Sequence, residues 1–133
     1  MKSIKASIPK CLPHGAVLDT CDNSGAKQLK VISVKGHKTL KGRMISCRVG
    51  DLIQCSVVKG KPDVRKTVVW AVVVRQKKEY RRSNGFRIKF EDNAVVILKD
   101  EKGNPKGTIF KGPIAKEVAD RWPAVAKIAS IIV

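Results

Sequence analysis

Acidic and aromatic residues are scarce in this sequence of 133 residues. Asp and Glu number 11 against 28 Lys and Arg, which leaves a formal net charge of +17, and Phe, Trp and Tyr make up 5% of the chain. A folded domain this basic repels itself unless a polyanion neutralises it, so nucleic acid is the expected partner. The shortage of aromatic rings disfavours a sliding single-strand binder and favours folded RNA recognised by its shape and backbone.

Signals for secretion and for membrane insertion are also missing. The first ten residues, MKSIKASIPK, contain no apolar segment of the secretory type. No run reaches 18 apolar residues, and no long basic amphipathic helix is visible that could lie on a membrane. The four cysteines lack C-x-x-C spacing. We therefore expect a cytoplasmic protein with reduced thiols and no membrane attachment.

The sequence lacks the common catalytic and metal-binding motifs. There is no P-loop, GxGxxG or HExxH pattern. Cys11–His14 has the spacing of half a zinc site, but His37 is the only other histidine, and a Cys–His nucleophile pair would lack an orienting third group. Asp22 and Asp92 each precede an Asn at a predicted strand end, where such side chains form turns. We predict no enzymatic activity, no cofactor and no metal, with the cysteines as small buried apolar residues.

Hydrophobic periodicity of two residues dominates the chain and predicts short strands. Asn84-Gly85 predicts a hairpin turn with positive φ at both positions, joining Arg75–Arg82 to the next strand. Strands at intervals of roughly ten residues, separated by Gly-rich turns, predict a small antiparallel OB-like β-barrel, whose closure leaves no long unpaired edge. The predicted strands are Ala16–Asp22, Lys27–Lys35, Leu52–Gly60, Thr67–Arg75, Phe86–Phe90 and Ala94–Leu98.

Only the end of the chain has a helical composition. Pro113 is well placed to start a helix and Pro123 must interrupt it, so we predict two short helices. The length fits one domain over residues 1–133, with the barrel and its ribbon in about 13–110 and the helical part in 113–131. The predicted core or its margin consists of Trp70, Val72, Val74, Phe90, Val96 and Leu98, and Phe86 is also expected to face the interior.

The segment RQKKEYRR (75–82) holds five cations in eight residues. In an extended strand its alternate side chains form two polar faces, so we expect neither to pack on a core. A solvated hairpin is one interpretation; binding to RNA phosphates is favoured because it offsets the repulsion among the cations. Tyr80 could stack on a base or pack on an arginine stem. The predicted RNA-contacting residues are Arg75, Lys77, Lys78, Arg81, Arg82 and Arg87, and, as a second group in weaker basic loops, Lys27, Lys35, Lys38, Arg43, Lys59, Lys61, Arg65 and Lys66.

One motif at fixed spacing consists of Ala71–Val74, Asn84-Gly85, Phe90, Asn93 and Val96-Ile97. It resembles the signature of the universal L-fourteen family of large-subunit ribosomal proteins. The likeness extends through DNSGAK (22–27), VGD (49–51), VVKGKPDVRK (57–66) and KGPIAKE (111–117), and covers the chain from about Pro13 onward. RQKKEYRRSNG and the ending DRWPAVAKIASIIV are similar to the archaeal and eukaryotic branch, and most similar to archaeal forms. The first dozen residues match no part of the pattern.

The resemblance implies a five-stranded barrel with a β-ribbon extension and a small C-terminal helical part. It implies a structural constituent of the large ribosomal subunit that binds large-subunit rRNA and neighbours other large-subunit proteins. It also implies contact with small-subunit rRNA at an intersubunit bridge and with an anti-association factor at about residues 115–132. We do not expect a homo-oligomer. The alternative is a free-standing RNA-binding barrel, such as an RNA chaperone or a translation-factor-like module.

Overall fold

The structure, a computed structural model, describes residues 2–133 and is mainly β. Two short helices, α1 (Lys116–Arg121) and α2 (Pro123–Ile128), lie near the end of the chain. In chain order the strands of the described residues are β1 (Ala6–Ser7), β2 (Leu12–Pro13), β3 (Val17–Thr20), β4 (Ala26–Val34), β5 (Ser46–Cys47), β6 (Leu52–Gly60), β7 (Val68–Arg75), β8 (Tyr80–Arg82), β9 (Arg87–Ile88), β10 (Ala94–Leu98), β11 (Pro113–Ile114) and β12 (Ile131–Ile132).

Five strands form a closed barrel in the order β10-β3-β4-β6-β7, which confirms the predicted barrel. Four of its pairings are antiparallel, whereas β3 and β10 pair in parallel. The expectation of a purely antiparallel barrel is therefore wrong in this detail. The reason is geometric: strand directions cannot alternate around a closed ring with an odd number of strands, so at least one neighbouring pair must run the same way.

The core lies inside this barrel and continues beneath the segments that cover it. Val72, Val74, Val96 and Leu98 are buried, while Trp70 and Phe90 lie at the margin, as predicted. All five residues of β10 and the last five of β7 are buried, so both faces of these strands are covered there. Continuous β-branched sequence, rather than alternation, is the pattern expected of a strand buried on both faces.

The ribbon extension has three strands in the order β1-β8-β9. Its first strand, Ala6–Ser7, pairs with Arg81 and Arg82, so two of the N-terminal residues that match no pattern are part of the ribbon. The hairpin between β8 and β9 is confirmed, but its turn differs from the predicted two-residue type. Gly85 alone has positive φ (90°), and its N–H donates to the Arg82 carbonyl (3.0 Å), which is the geometry of a three-residue loop closed by a glycine.

The C-terminal part contains the two predicted short helices, and Pro123 begins the second of them. Pro113 does not begin the first: it lies in β11, and α1 starts at Lys116. Beyond α2, the chain returns and β12 pairs in parallel with β11. The final segment is thereby fastened to the residues that precede the helices.

Cysteine burial agrees with the sequence analysis. Cys21, Cys47 and Cys55 are buried free thiols, and Cys11 is half-buried. Burial raises the pKa of Cys21 to about 11 and that of Cys55 to about 12, so these thiols stay protonated and unreactive near neutral pH. Among residues 2–133 no group of His, Cys, Asp and Glu side chains could hold a metal ion, and no helix has the length and apolarity to cross a membrane.

Candidate RNA interface

The exposed cations of the ribbon form the first of two basic surfaces, which we call the hairpin surface. It comprises Lys77, Lys78, Arg81 and Arg87 from the predicted set, and Lys89, which the sequence analysis missed. Arg81 and Arg87 are direct cross-strand partners, an arrangement that places like charges opposite each other and is unfavourable by itself. In the described residues neither of these arginines is ion-paired. The hairpin surface therefore carries positive charge that the chain does not neutralise.

Arg75 does not belong to this surface, although its sequence context predicted RNA contact. Arg75 is 8% exposed, and its guanidinium donates to both carboxylate oxygens of Asp92 (2.8 and 3.1 Å). It also donates to the carbonyls of Lys111 (3.0 Å) and Pro113 (2.9 Å). Four of its five N–H donors are thus engaged within the protein. We assign Arg75 a structural role and remove it from the proposed interface.

The neighbouring glycine shows how tightly the chain encloses Arg75. A Cβ added at Gly112 would lie 2.7 Å from Nη1 of Arg75, and Gly112 has a φ of +78°. Only glycine combines this backbone conformation with so close an approach. The glycine therefore lets the segment before β11 pass directly over the guanidinium, which closes the end of β7.

One face of the RQKKEYRR segment packs on the protein, so the prediction that neither face would do so is wrong. Gln76 is fully buried and Tyr80 is 1% exposed. The Gln76 side chain accepts the Val49 N–H (3.1 Å) and donates to the Lys78 carbonyl (3.0 Å). The Tyr80 hydroxyl donates to Glu117 in α1 (2.9 Å). Tyr80 is consequently unavailable for stacking on a base.

Arg82 is held in the same cluster and has little freedom to bind RNA. It donates to both oxygens of Glu117 (2.8 and 3.2 Å), to the Tyr80 hydroxyl (3.3 Å) and to the carbonyl of Val133 (2.6 Å). Burial, followed by the hydrogen bond and the charge of Glu117, raises the pKa of the Tyr80 phenol above its ordinary value. The phenol therefore remains protonated, and the cluster fastens the ribbon to the C-terminal part. We remove Arg82 from the proposed interface as well.

Replacing Glu117 with glutamine should loosen this attachment. Glu117 accepts hydrogen bonds from three donors, the Tyr80 hydroxyl and two N–H groups of Arg82. The glutamine amide can accept fewer of them and leaves the Arg82 charge unpaired. We therefore expect the free energy of unfolding, measured by urea denaturation, to fall by about 1.5–3 kcal/mol. Hydrogen exchange should accelerate in β8 and β9 in particular. Asp120→Asn is the matched control, since Asp120 is exposed on the same helix and should change stability little. Equal effects of the two variants would contradict the role of the cluster.

The second basic surface, which we call the loop surface, lies where the turn before β4 meets the loop after β6. Lys27, Lys59 and Arg65 line a cleft of about 330 Å³, and Lys27, Lys61 and Lys111 line an adjoining cleft of about 540 Å³. All of these residues except Lys111 belong to the predicted RNA-contacting set. The N–H of Lys61 donates to the Gly25 carbonyl (3.0 Å), which joins the two loops. Cations separated by more than 80 residues of sequence therefore form one patch.

The remaining predicted cations lie elsewhere. Lys66 is exposed in the loop after β6 but lines neither of these clefts. Lys35 follows β4 at the end opposite Lys27, about 26 Å away along the strand. It is ion-paired with Glu101 (2.6 Å) in a separate cleft. Lys38 and Arg43 are exposed in the loop between β4 and β5. The second predicted group is therefore divided among at least three places on the protein.

Few of the basic residues find an acidic partner in the chain. Within the described residues five cations are ion-paired, and three of these pairs involve the largely buried arginines Arg75, Arg82 and Arg121. On the two basic surfaces, only Lys78 has a partner, its neighbour Glu79 (3.2 Å). Both members of that pair are exposed, so water and salt screen their attraction. The two surfaces therefore remain strongly positive, as sites for a polyanion require.

The chain is similar to proteins of one family over nearly its whole length. The family model for ribosomal protein L14p/L23e matches residues 11–133. The large ribosomal subunit protein uL14 of Nanoarchaeum equitans is 60% identical to this chain over 133 residues, covering all of both chains. The proteins of the same name from Methanococcus vannielii and Methanococcus maripaludis are each 50% identical over 132 residues, covering 99% of both chains. The likeness to these archaeal proteins thus includes the N-terminal strand of the ribbon.

Proposed function

The chain belongs to the L14p/L23e family of ribosomal proteins, and we propose that it is a structural constituent of the large ribosomal subunit that binds the rRNA backbone. The observation that carries the proposal is full-length similarity to archaeal large-subunit proteins. The unpaired cations of the two basic surfaces supply a physical means of binding. Such proteins act as structural parts of a particle, and we propose no catalytic role and a location in cytoplasmic ribosomes.

The proposed mechanism is electrostatic clamping by a rigid body. The loop after β6 contributes Lys61 and Arg65 to the loop surface and leads into β7, and the hairpin surface follows β7. The closed barrel fixes the positions of the two surfaces relative to each other, so the protein can neutralise phosphates of two RNA segments that approach each other in the folded rRNA. Each lysine or arginine that contacts a phosphate releases condensed counterions, which makes the affinity strongly dependent on salt.

We further propose that the subunit-facing side of the protein reaches small-subunit rRNA at an intersubunit bridge, and that neighbouring large-subunit proteins cover part of its surface. Residues 115–132 are the proposed docking region for an anti-association factor. The exposed residues Ile131 and Ile132 (54% and 48%) support this last assignment, because they offer apolar surface next to α1 and α2. These finer assignments rest on membership of the family.

Sedimentation distinguishes a ribosomal constituent from a free-standing RNA-binding barrel. The tagged full-length chain, expressed in an archaeal cell, should sediment with the large subunit in sucrose gradients, and it should remain there at salt concentrations that remove loosely bound factors. A constituent is also expected at one copy per particle. Recovery at the top of the gradient in high salt would favour the free-standing barrel and contradict the proposal.

A further inference from the structure

Phe86 is the one exposed aromatic residue of the chain. This residue is 68% exposed, whereas the other five aromatic residues, all within the described part, are buried or half-buried. The prediction that Phe86 faces the interior is wrong. An exposed phenyl ring gains free energy when it leaves water, so the ring at the tip of the ribbon is available for a contact with a partner.

The backbone at the tip holds Phe86 in a defined position. Its N–H donates to the Asn84 side chain (3.0 Å), and its carbonyl accepts the Arg82 N–H (2.9 Å). The turn is completed by Gly85, which has a φ of 90°. Because these contacts order the backbone before any partner binds, a contact made by the ring costs only the entropy of ordering its side chain.

The charges around the ring identify the kind of partner. Phe86 directly precedes Arg87, whose cross-strand partner is Arg81, and neither arginine has an ion-pair partner in the described residues. A ring beside unneutralised cations complements a ligand that has a flat apolar face next to negative charges. A nucleotide has both, because its base is a π-surface and its phosphate is an anion. A neutral apolar protein pocket would leave these cations unpaired.

We propose that Phe86 stacks on an unpaired nucleobase of the RNA bound by the hairpin surface. The inference rests on the proposed function and adds to it a contact with a base. The base must be unpaired because bases within an A-form helix are stacked on both sides, whereas loops and bulges expose their faces. The contact detects the presence of an unpaired base and not its identity, since every base has a π-face.

The test uses two synthetic RNAs of equal length, one a stem with a single-stranded loop and the other a fully paired duplex. Fluorescence anisotropy should show that Phe86→Ala weakens binding of the looped RNA about tenfold, the effect typical of losing one stacked base. Its salt dependence should stay unchanged, since no charge is lost. Binding of the duplex should also be unchanged. Equal losses on both RNAs, or a loss on neither, would overturn the proposal.

Two matched variants separate stacking from a general apolar contact. Phe86→Tyr keeps an aromatic face and should bind the looped RNA like the wild type. Phe86→Leu keeps apolar bulk without a π-face and should resemble Phe86→Ala. Ultraviolet crosslinking of purified large subunits adds a direct readout, in which the peptide containing Phe86 should carry a nucleotide adduct. Wild-type affinity in the leucine variant, or a crosslink from Phe86 to a protein neighbour, would contradict stacking.

The same measurements tell a failure of this inference from a failure of the proposed function. Wild-type protein that binds both RNAs, together with a Phe86→Ala variant that binds them equally well, refutes stacking and leaves backbone clamping intact. Wild-type protein that binds neither RNA at low salt refutes both.

Discussion

Replacing Arg75 with methionine should lower the free energy of unfolding by about 2–4 kcal/mol and leave the salt dependence of RNA binding unchanged. The substitution keeps apolar bulk but removes the donors to Asp92 and to the carbonyls of Lys111 and Pro113. A buried acceptor left unsatisfied costs about 1–3 kcal/mol, and because the contacts to these two carbonyls are part-buried, each contributes toward the lower end of that range. Breaking the ion pair lowers the free energy of unfolding by less than it would for a fully buried pair, because the Asp92 side chain is 38% exposed and water can solvate its charge.

Urea denaturation of the free protein measures the change in stability. A separate titration measures the affinity for large-subunit rRNA over a range of salt concentrations. Lys77→Met is the matched control, because Lys77 lies two residues further along the same basic segment and its side chain is exposed. It should change stability by less than about 0.5 kcal/mol and lower the salt slope by about one. A stable Arg75→Met variant with a reduced salt slope would restore Arg75 to the RNA interface.

Removing four charges from the hairpin surface should nearly abolish specific binding to rRNA at physiological salt. If each of Lys77, Lys78, Arg81 and Arg87 contacts one phosphate, their replacement by glutamine lowers the slope of log affinity against log salt by about 3 to 4. At about 0.1 M salt this corresponds to a loss of affinity on the order of a thousandfold. Folding should be preserved, since all four side chains are exposed.

The control for this variant has the same net charge but loses its cations elsewhere. Lys99, Lys102, Lys106 and Lys127 are exposed and lie outside the hairpin surface and the loop surface. Their joint replacement should reduce the salt slope by much less than the hairpin variant does. Equal reductions would show that net charge alone attracts the RNA. A loss confined to one RNA sequence would show base readout in place of backbone clamping.

The sequence was sufficient for the barrel and for most of the exposed cations, because both depend on local patterns. Alternating strands predicted the barrel, and basic residues in glycine-rich loops predicted exposed cations, but not which of them form the loop surface. Even the parallel pair of strands could have been foreseen, since a closed ring of five strands cannot be wholly antiparallel.

The roles of Arg75, Tyr80 and Arg82 could not be predicted locally. Their partners lie 17 to 38 residues away, or 51 for the contact between Arg82 and Val133. RQKKEYRR gives no sign that a carboxylate in α1 and carbonyls near β11 will lie against one face of the ribbon. Arg75 and Lys77 share a face in an ideal strand, yet only Lys77 reaches solvent. Which cations are free depends on the assembled fold.

Phe86 shows a different kind of failure. The alternation in FRIKF placed Phe86 and Phe90 on one inward face of a five-residue strand. The strand in the structure, β9, contains only Arg87 and Ile88, and Phe86 belongs to the turn. A two-residue period has no meaning beyond the end of the paired strand. The boundary of the strand, and not the hydrophobic character of the residue, therefore determined where the ring lies.

A density map of the large subunit that contains this chain would test the central claim most directly. The account predicts that the basic groups of Lys77, Lys78, Arg81 and Arg87 each lie within hydrogen-bonding or ion-pairing distance of an rRNA phosphate, while Arg75 keeps its bonds to Asp92. The loop surface should meet a second RNA segment. A map in which both basic surfaces face solvent, or in which acidic protein neighbours cover them, would contradict electrostatic clamping of rRNA by this barrel.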